Sequence, residues 1–267
     1  TLLPFMIVSN LLIGTPAIDA ISKVFGPFLC RLFGVTRYGS FAIIAGFLCG
    51  YPMGGKVTAD LVRKQYITWQ EGQYLLSFTN NISPMFIISY VVWQNLKDTS
   101  RTMPALLILI LSPILCSFLF RIYYRPGARS RSSKCSPLPR AAAGSLMDSC
   151  IMNGFEAITK VGGYIMLFSI LIALFQNLPL NHFLFSLLFL PSLEMTNGIP
   201  LICASSLPAD ACFVLSLALT SFGGWCSVAQ TRSMVQGTRL PITPYLIEKL
   251  ITTLVTSLLA YTYIRLF

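Results

Sequence analysis

The stretch Gly46-Phe47-Leu48-Cys49-Gly50-Tyr51-Pro52-Met53-Gly54-Gly55-Lys56 decides how this chain folds. It lies in an apolar run, 39–58, of membrane-crossing length, yet its middle is built from residues that undo a helix. Pro removes a backbone donor and Gly relaxes the helix, so the run should be unwound or kinked at its centre. Unwound backbone inside a bilayer is tolerated only where protein or a water-lined cavity satisfies it. The helix that resumes at Gly54 would present its N-terminal amides to that cavity, and Lys56 would add a full charge. Gly50, Tyr51, Gly54, Gly55 and Lys56 therefore form a candidate site for an anion. The alternative is a plain kink with Lys56 snorkelling to the cytoplasmic face.

The rest of the composition agrees with a membrane setting. Of 267 residues, 55% are hydrophobic and 10% charged, with a mean hydropathy of +0.71. Soluble domains carry about 25% charged residues. A cytosolic enzyme or a nucleic-acid module is excluded, although the net charge is +10 and the pI about 9.4. The fold class expected is all-α: a polytopic helical membrane protein in which two repeats each hold a re-entrant hairpin and a Gly/Pro-broken helix. With about 20 apolar residues per span, the spans expected are 2–21, 39–58, 69–96, 104–124, 161–178, 211–235 and 244–266. The interrupted stretches 24–35 and 182–203 read as the hairpins, and 144–160 as an amphipathic helix lying on the membrane or crossing it obliquely. The segment 125–143 carries Arg125, Arg129, Arg131, Lys134 and Arg140, with no acid between Thr99 and Met147. The positive-inside rule places it in the cytoplasm of a multi-pass protein of the bacterial cell membrane. The organisation expected is 1–98 as the first repeat, 99–143 as a connecting helix and basic loop, and 144–267 as the second repeat.

The repeat rests on three matches in sequence order. Residues 25–35 align without gaps on 189–199, 46–51 on 220–225, and, after one residue of slippage, 66–68 on 241–243. Duplicated halves of this kind mark many secondary transporters, with inverted or parallel topology left open. The same alignment sets 1–12 on 164–175, so a counterpart of 144–160 is expected upstream of Thr1.

Three further elements carry polar chemistry. In Phe222-Gly223-Gly224-Trp225-Cys226-Ser227-Val228-Ala229-Gln230-Thr231-Arg232, Ser227 and Gln230 are uncharged contacts, and Trp225 pairs with Tyr51 to flank a planar ligand or to anchor packing. In Leu193-Glu194-Met195-Thr196-Asn197-Gly198, Glu194 is an ionisable group in an apolar stretch, hence a coupling candidate or half of an ion pair with Arg31, Lys56 or Arg232. Thr196 and Asn197 join it as ligand contacts. In Thr79-Asn80-Asn81-Ile82-Ser83-Pro84, two adjacent Asn at membrane depth need partners, either a ligand or a neighbouring helix. Asp60, Arg63 and Lys64 read as a solvated cluster at a cytoplasmic helix end. The eight Cys are scattered without Cys-x-x-Cys, and His182 stands alone, so no metal site, cofactor, triad or phosphate loop is expected and the chain is not read as an enzyme.

The Gly-Tyr-Pro-x-Gly-x-Lys and Asn-Asn-x-x-Pro elements resemble the YlbJ-type sporulation integral membrane proteins of endospore-forming Firmicutes. Gly154-Phe155-Glu156, 193–198 and 222–230 extend that likeness over essentially the whole chain, with Gly55 standing where Ala is usual. More distantly, the hairpin-plus-broken-helix units are similar to the Gate (nucleoside-recognition) superfamily, which includes concentrative nucleoside transporters. The resemblance implies a transporter acting in sporulation, with dipicolinate, a planar dianion, as solute moved from the mother cell towards the forespore. The partners it implies are that small anion, the lipid bilayer and an H+ or Na+ coupling ion, without nucleic acid and with an oligomer possible. The competing readings are a non-transporting scaffold for spore-envelope assembly and a nucleoside-type transporter.

Overall fold

The computed structural model describes residues 2–124, 143–177 and 185–266, which form helices and turns with no strand among the described residues. The basic residues of 125–142, Cys135 and His182 lie outside them. Helix α1 (Leu2–Gly14) turns through 94° at Thr15-Pro16 into α2 (Ala17–Phe33). Pro16 cannot donate into the preceding turn, which ends α1. On α2 the buried residues Ile18, Ser22 and Gly26 recur every fourth position, while Val24, Phe25 and Phe28 stay exposed. This is one amphipathic helix, so the hairpin expected at 24–35 and the span expected at 2–21 are both corrected: the break falls at 15–16. Pro27 is accommodated inside α2, which ends at Gly34, in the left-handed region at φ 71°.

The re-entrant hairpin of this half lies one element later. Helix α3 (Arg37–Cys49) is capped by the Thr36 hydroxyl, and α4 (Met53–Arg63) follows the tip Gly50-Tyr51-Pro52. Helix α5 (Trp69–Thr79) runs beside α3 in the same direction: the space at Gly39 faces Glu71 and Leu75, and that at Gly46 faces Thr79. Helix α4 returns, with Gly54 against Thr79 and Asn80 and Val62 against Gly72. The run 39–58 therefore enters and leaves on one side and is not a span. After the break at Asn80–Ser83, α6 (Pro84–Phe86, continued by the π-helix Ile87–Leu96) carries the chain onward. A 3-10 turn (Thr99–Arg101) then leads into α7 (Thr102–Tyr124), which packs back along α5 and α6.

Helix α8 (Ala143–Gln176) has 34 residues. At 1.5 Å per residue it is about 51 Å long, against about 30 Å for a hydrocarbon core. Residues 144–160 are thus the first half of this helix rather than a separate surface helix. The π-turn Phe185–Phe189 and α9 (Leu190–Leu193) run back along α8, with Phe185 and Phe189 against Phe175. The chain reverses at Glu194, and α10 (Met195–Cys203) returns, Gly198 packing on the Pro191 carbonyl. This is the hairpin expected within 182–203.

Helices α11 (Ala209–Phe222) and α12 (Gly224–Val235) follow α13 (Ile242–Leu266) in a single direction. Phe213 lies by Tyr263, Ser221 by Thr256 and Thr231 by Tyr245. Gly223 at φ 80° ends α11 and Gly224 at φ 77° restarts the helix. By length and composition, five helices among the described residues can cross a membrane, or six if the bent α1–α2 pair is one. The multi-pass, all-helical reading stands. The pairing of 46–51 with 220–225 does not follow the shapes: the first is a hairpin tip and the second a break in a helix that keeps its direction.

Candidate functional site

Four breaks converge. The tip Gly50–Tyr51, the interruption at Ile82–Ser83, the reversal at Glu194–Thr196 and the break at Gly223 all line one cavity of about 230 Å³, together with Ser227 and Gln230. That is below the roughly 300–1,000 Å³ of sites for drug-sized ligands, so it suits a small solute. The two hairpins reach it from opposite ends of the bundle. The α3–α4 base lies beside the end of α7, where Arg121 donates to the Leu32 carbonyl at 2.9 Å. The α9–α10 hairpin starts beside Phe175, near the far end of α8.

Each polar group at the cavity has a local reason for its position. Glu194 is buried with extended backbone and caps α10. Its carboxylate accepts from Thr196 N at 3.0 Å, Asn197 N at 2.9 Å and Asn197 Nδ2 at 2.9 Å, and from the Thr196 hydroxyl. Neither Arg31, Lys56 nor Arg232 pairs with it among the described ion pairs. Replacing Glu194 by Ala should lower stability by about 1–2 kcal/mol, as loss of a helix cap does. Thermal unfolding in detergent measures it, and an unchanged midpoint would remove the capping account. Tyr51 turns its ring into the protein and donates from its hydroxyl to the Ser221 carbonyl at 2.9 Å, tying the hairpin tip to α11. Ser227 donates to the Gly224 carbonyl at 2.9 Å, and Gln230 Nε2 contacts Cys226 Sγ at 3.2 Å, so both are held along their own helix.

Other expected site residues lie elsewhere. Lys56 reaches along α4, away from the tip, to Asp60 Oδ2 at 2.8 Å and Asn10 Oδ1 at 2.6 Å. It lines a second cavity, of about 470 Å³, with Arg63, Lys64, Glu156 and Lys160. Asp60 also holds Arg63, which bonds the Met234 and Gln236 carbonyls, so this group is a network and not a set of separate solvated charges. Lys56 and Glu194 do not share a site. The Gly55 amide is taken by Asn80 Oδ1 at 3.1 Å rather than offered to a ligand. Gly54 is a packing residue, because a Cβ there would lie 2.3 Å from the Thr79 carbonyl oxygen. Asn80 is fully buried and bridges helices. Trp225 is 41% exposed and meets Phe222 edge-on, so it does not face Tyr51 across a ligand. Asn197 donates to Ser169 on α8 as well as to Glu194.

Sequence reasoning missed the deepest charges. Glu248 and Lys249 are 5% and 0% exposed inside α13, and Glu71 is fully buried at the base of the first hairpin. Glu71 accepts from Thr36 N at 2.6 Å and from the Thr36 hydroxyl at 2.7 Å. The signal was present: Glu248-Lys249 sits inside the apolar run 244–266, and the argument applied to Glu194 holds there equally. Among the described residues, no group of three or more His, Cys, Asp or Glu is placed to hold a metal ion.

A comparison with curated proteins sets this geometry beside a relative. The chain is 25% identical to the sporulation integral membrane protein YlbJ of Bacillus subtilis (strain 168) over 285 aligned positions, covering 94% of this chain and 70% of that protein. The chain is similar to YlbJ. No family profile matches it. No solved structure matches it either. With 94% of the chain aligned, the likeness to that sporulation integral membrane protein extends over nearly all of the architecture described above.

Proposed function

We propose that this protein is a secondary transporter that passes a small solute through the cavity between its two hairpin tips. The observation that carries the reading is the meeting of four helix interruptions at one cavity, with Glu194, Thr196, Ser227 and Gln230 in its wall. Interrupted backbone at membrane depth is costly unless it lines such a space, and paired interruptions at a central site are the architecture of alternating access. The basic segment 125–143 is cytoplasmic in this proposal. The α3–α4 hairpin then opens to the cytoplasm and α9–α10 to the opposite side, an inverted arrangement. The likeness to YlbJ-type proteins makes dipicolinate, leaving the mother cell, the solute to test first. Lys249 lies behind Tyr51, 4.8 Å from its ring centre, whereas Lys56 lines the other cavity.

Uptake of labelled dipicolinate into vesicles containing the full chain tests this. Wild-type vesicles should accumulate the solute. Gln230→Leu should cut the rate by about tenfold, the weight of one hydrogen bond of about 1.4 kcal/mol. Absent uptake, with the protein still supporting sporulation in cells, would favour a scaffold for envelope assembly. Uptake of nucleosides in place of dipicolinate would move the solute to that class.

A further inference from the structure

We propose that Lys249 binds the proton that couples transport, holding the first hairpin tip closed when charged and freeing it when neutral; this rests on the transporter reading above. Lys249 is 0% exposed, two turns into α13. Its ammonium donates to Asn81 Oδ1 at 2.9 Å and lies 4.8 Å from the centre of the Tyr51 ring and 6.0 Å from that of Tyr245. Asn81 belongs to the interruption between α5 and α6, and Tyr51 to the hairpin tip that lines the cavity. One side chain on α13 therefore touches two of the moving parts.

No described ion pair includes Lys249 or Glu248. A charge buried without an opposite charge in contact is held at a cost that loss of the proton removes. The groups facing Lys249 do not supply a second cation. From α7 comes Cys116. From α13 itself come Tyr245 and Glu248, and from the hairpin tip Tyr51. From the interruption after α5 comes the uncharged Asn81. Glu248 binds the Tyr124 hydroxyl through Oε1, while its Oε2 and both polar atoms of Gln73 are buried without a hydrogen-bond partner.

The step balances simply. The ammonium of Lys249 gives one proton to water reaching the cavity and becomes a neutral amine. The neutral amine loses its cation–π contact with Tyr51, so the tip is held by the Tyr51–Ser221 bond and packing alone. Reprotonation from the other side reverses this.

The test follows the tip directly. Hydrogen–deuterium exchange of the peptide covering 49–53, corrected for intrinsic exchange, is measured across pH 5 to 9 on the full chain in lipid nanodiscs. Wild-type protection should fall by about tenfold as pH rises, the size of one charge-assisted contact. Lys249→Met, of similar length and uncharged, should show low protection at every pH. Lys249→Arg, which stays charged, should show high protection at every pH. Flat wild-type protection, or an unaltered pH response in Lys249→Met, overturns the proposal. Because this readout needs no transport, a flat tip with intact uptake rejects the proton site alone. A switching tip without uptake rejects the transport reading alone.

Discussion

Gly54→Leu should leave almost no folded protein in detergent. A Cβ at Gly54 would stand 2.3 Å from the Thr79 carbonyl oxygen, 2.6 Å from the Thr79 carbonyl carbon and 2.8 Å from the Asn80 Cα. All three are backbone atoms of the neighbouring helix end and cannot rotate away. Overpacking typically costs about 1–3 kcal/mol where side chains can adjust; here the backbone itself must move, so about 3 kcal/mol is the lower bound. Against a total stability of about 5–15 kcal/mol that is a large share. Gly54→Ala should already reduce the monodisperse fraction on size-exclusion chromatography. Gly46, 2.1 Å from the same oxygen, should behave alike. Gly55→Ala is the control: its nearest neighbour is the Thr231 methyl at 3.3 Å, a side chain that can give way. If Gly54→Leu and Gly55→Ala survive equally well, the close approach of α4 to α5 is wrong.

Asn80→Leu should lower stability by about 3 kcal/mol or more. The Asn80 amide accepts from the Gly55 amide at 3.1 Å and donates to Thr231 Oγ1 at 2.8 Å and to the Tyr245 hydroxyl at 2.9 Å. One side chain thus joins α4, α12 and α13 where the hairpin tip begins. Removing it strands a buried amide and takes a partner from two hydroxyls, at about 1–3 kcal/mol for each group left unsatisfied. Thermal unfolding in detergent should show a midpoint well below that of the wild type. Lost uptake with an unchanged midpoint would instead return Asn80 to contact with the solute.

Much of the architecture could be read from the residue types. Pro, Gly and paired Asn placed inside apolar runs marked all four interruptions, because each removes or diverts helix hydrogen bonds wherever it sits. The direction of the chain after each interruption was not legible. Gly50 and Gly223 both take positive φ, yet one leads into a reversal and the other into a continuation. That outcome is set by the packing of α4 on Thr79 and of α12 on α13, contacts between residues far apart in sequence. The same limit misplaced the first hairpin at 24–35, where an amphipathic stripe with one Pro looks like an interrupted span. For the candidate site, Tyr51, Glu194, Thr196, Ser227 and Gln230 were found by type and do line one cavity. Lys56 was assigned by closeness in sequence, and its long stem carries the charge along α4 to Asp60 instead.

The two ends of the α3–α4 hairpin are fastened very unequally. At the base, Glu71 grips Thr36 twice and Arg63 grips two carbonyls at the end of α12. At the tip, the Tyr51 hydroxyl makes one full-strength bond to α11, with Gly54 packed on Thr79 and the Gly55 amide bound to Asn80 just behind it. The hairpin is therefore a stiff lever on a fixed fulcrum. With α4 about 16 Å long at 1.5 Å per residue, a tilt of about 10° at the base carries the tip through about 3 Å. Such a displacement breaks the Tyr51 bond and shifts Gly54 and Gly55 against Thr79 and Asn80, while the contacts at the base stay in place. Most of the molecule can stay still while one short arm opens the cavity.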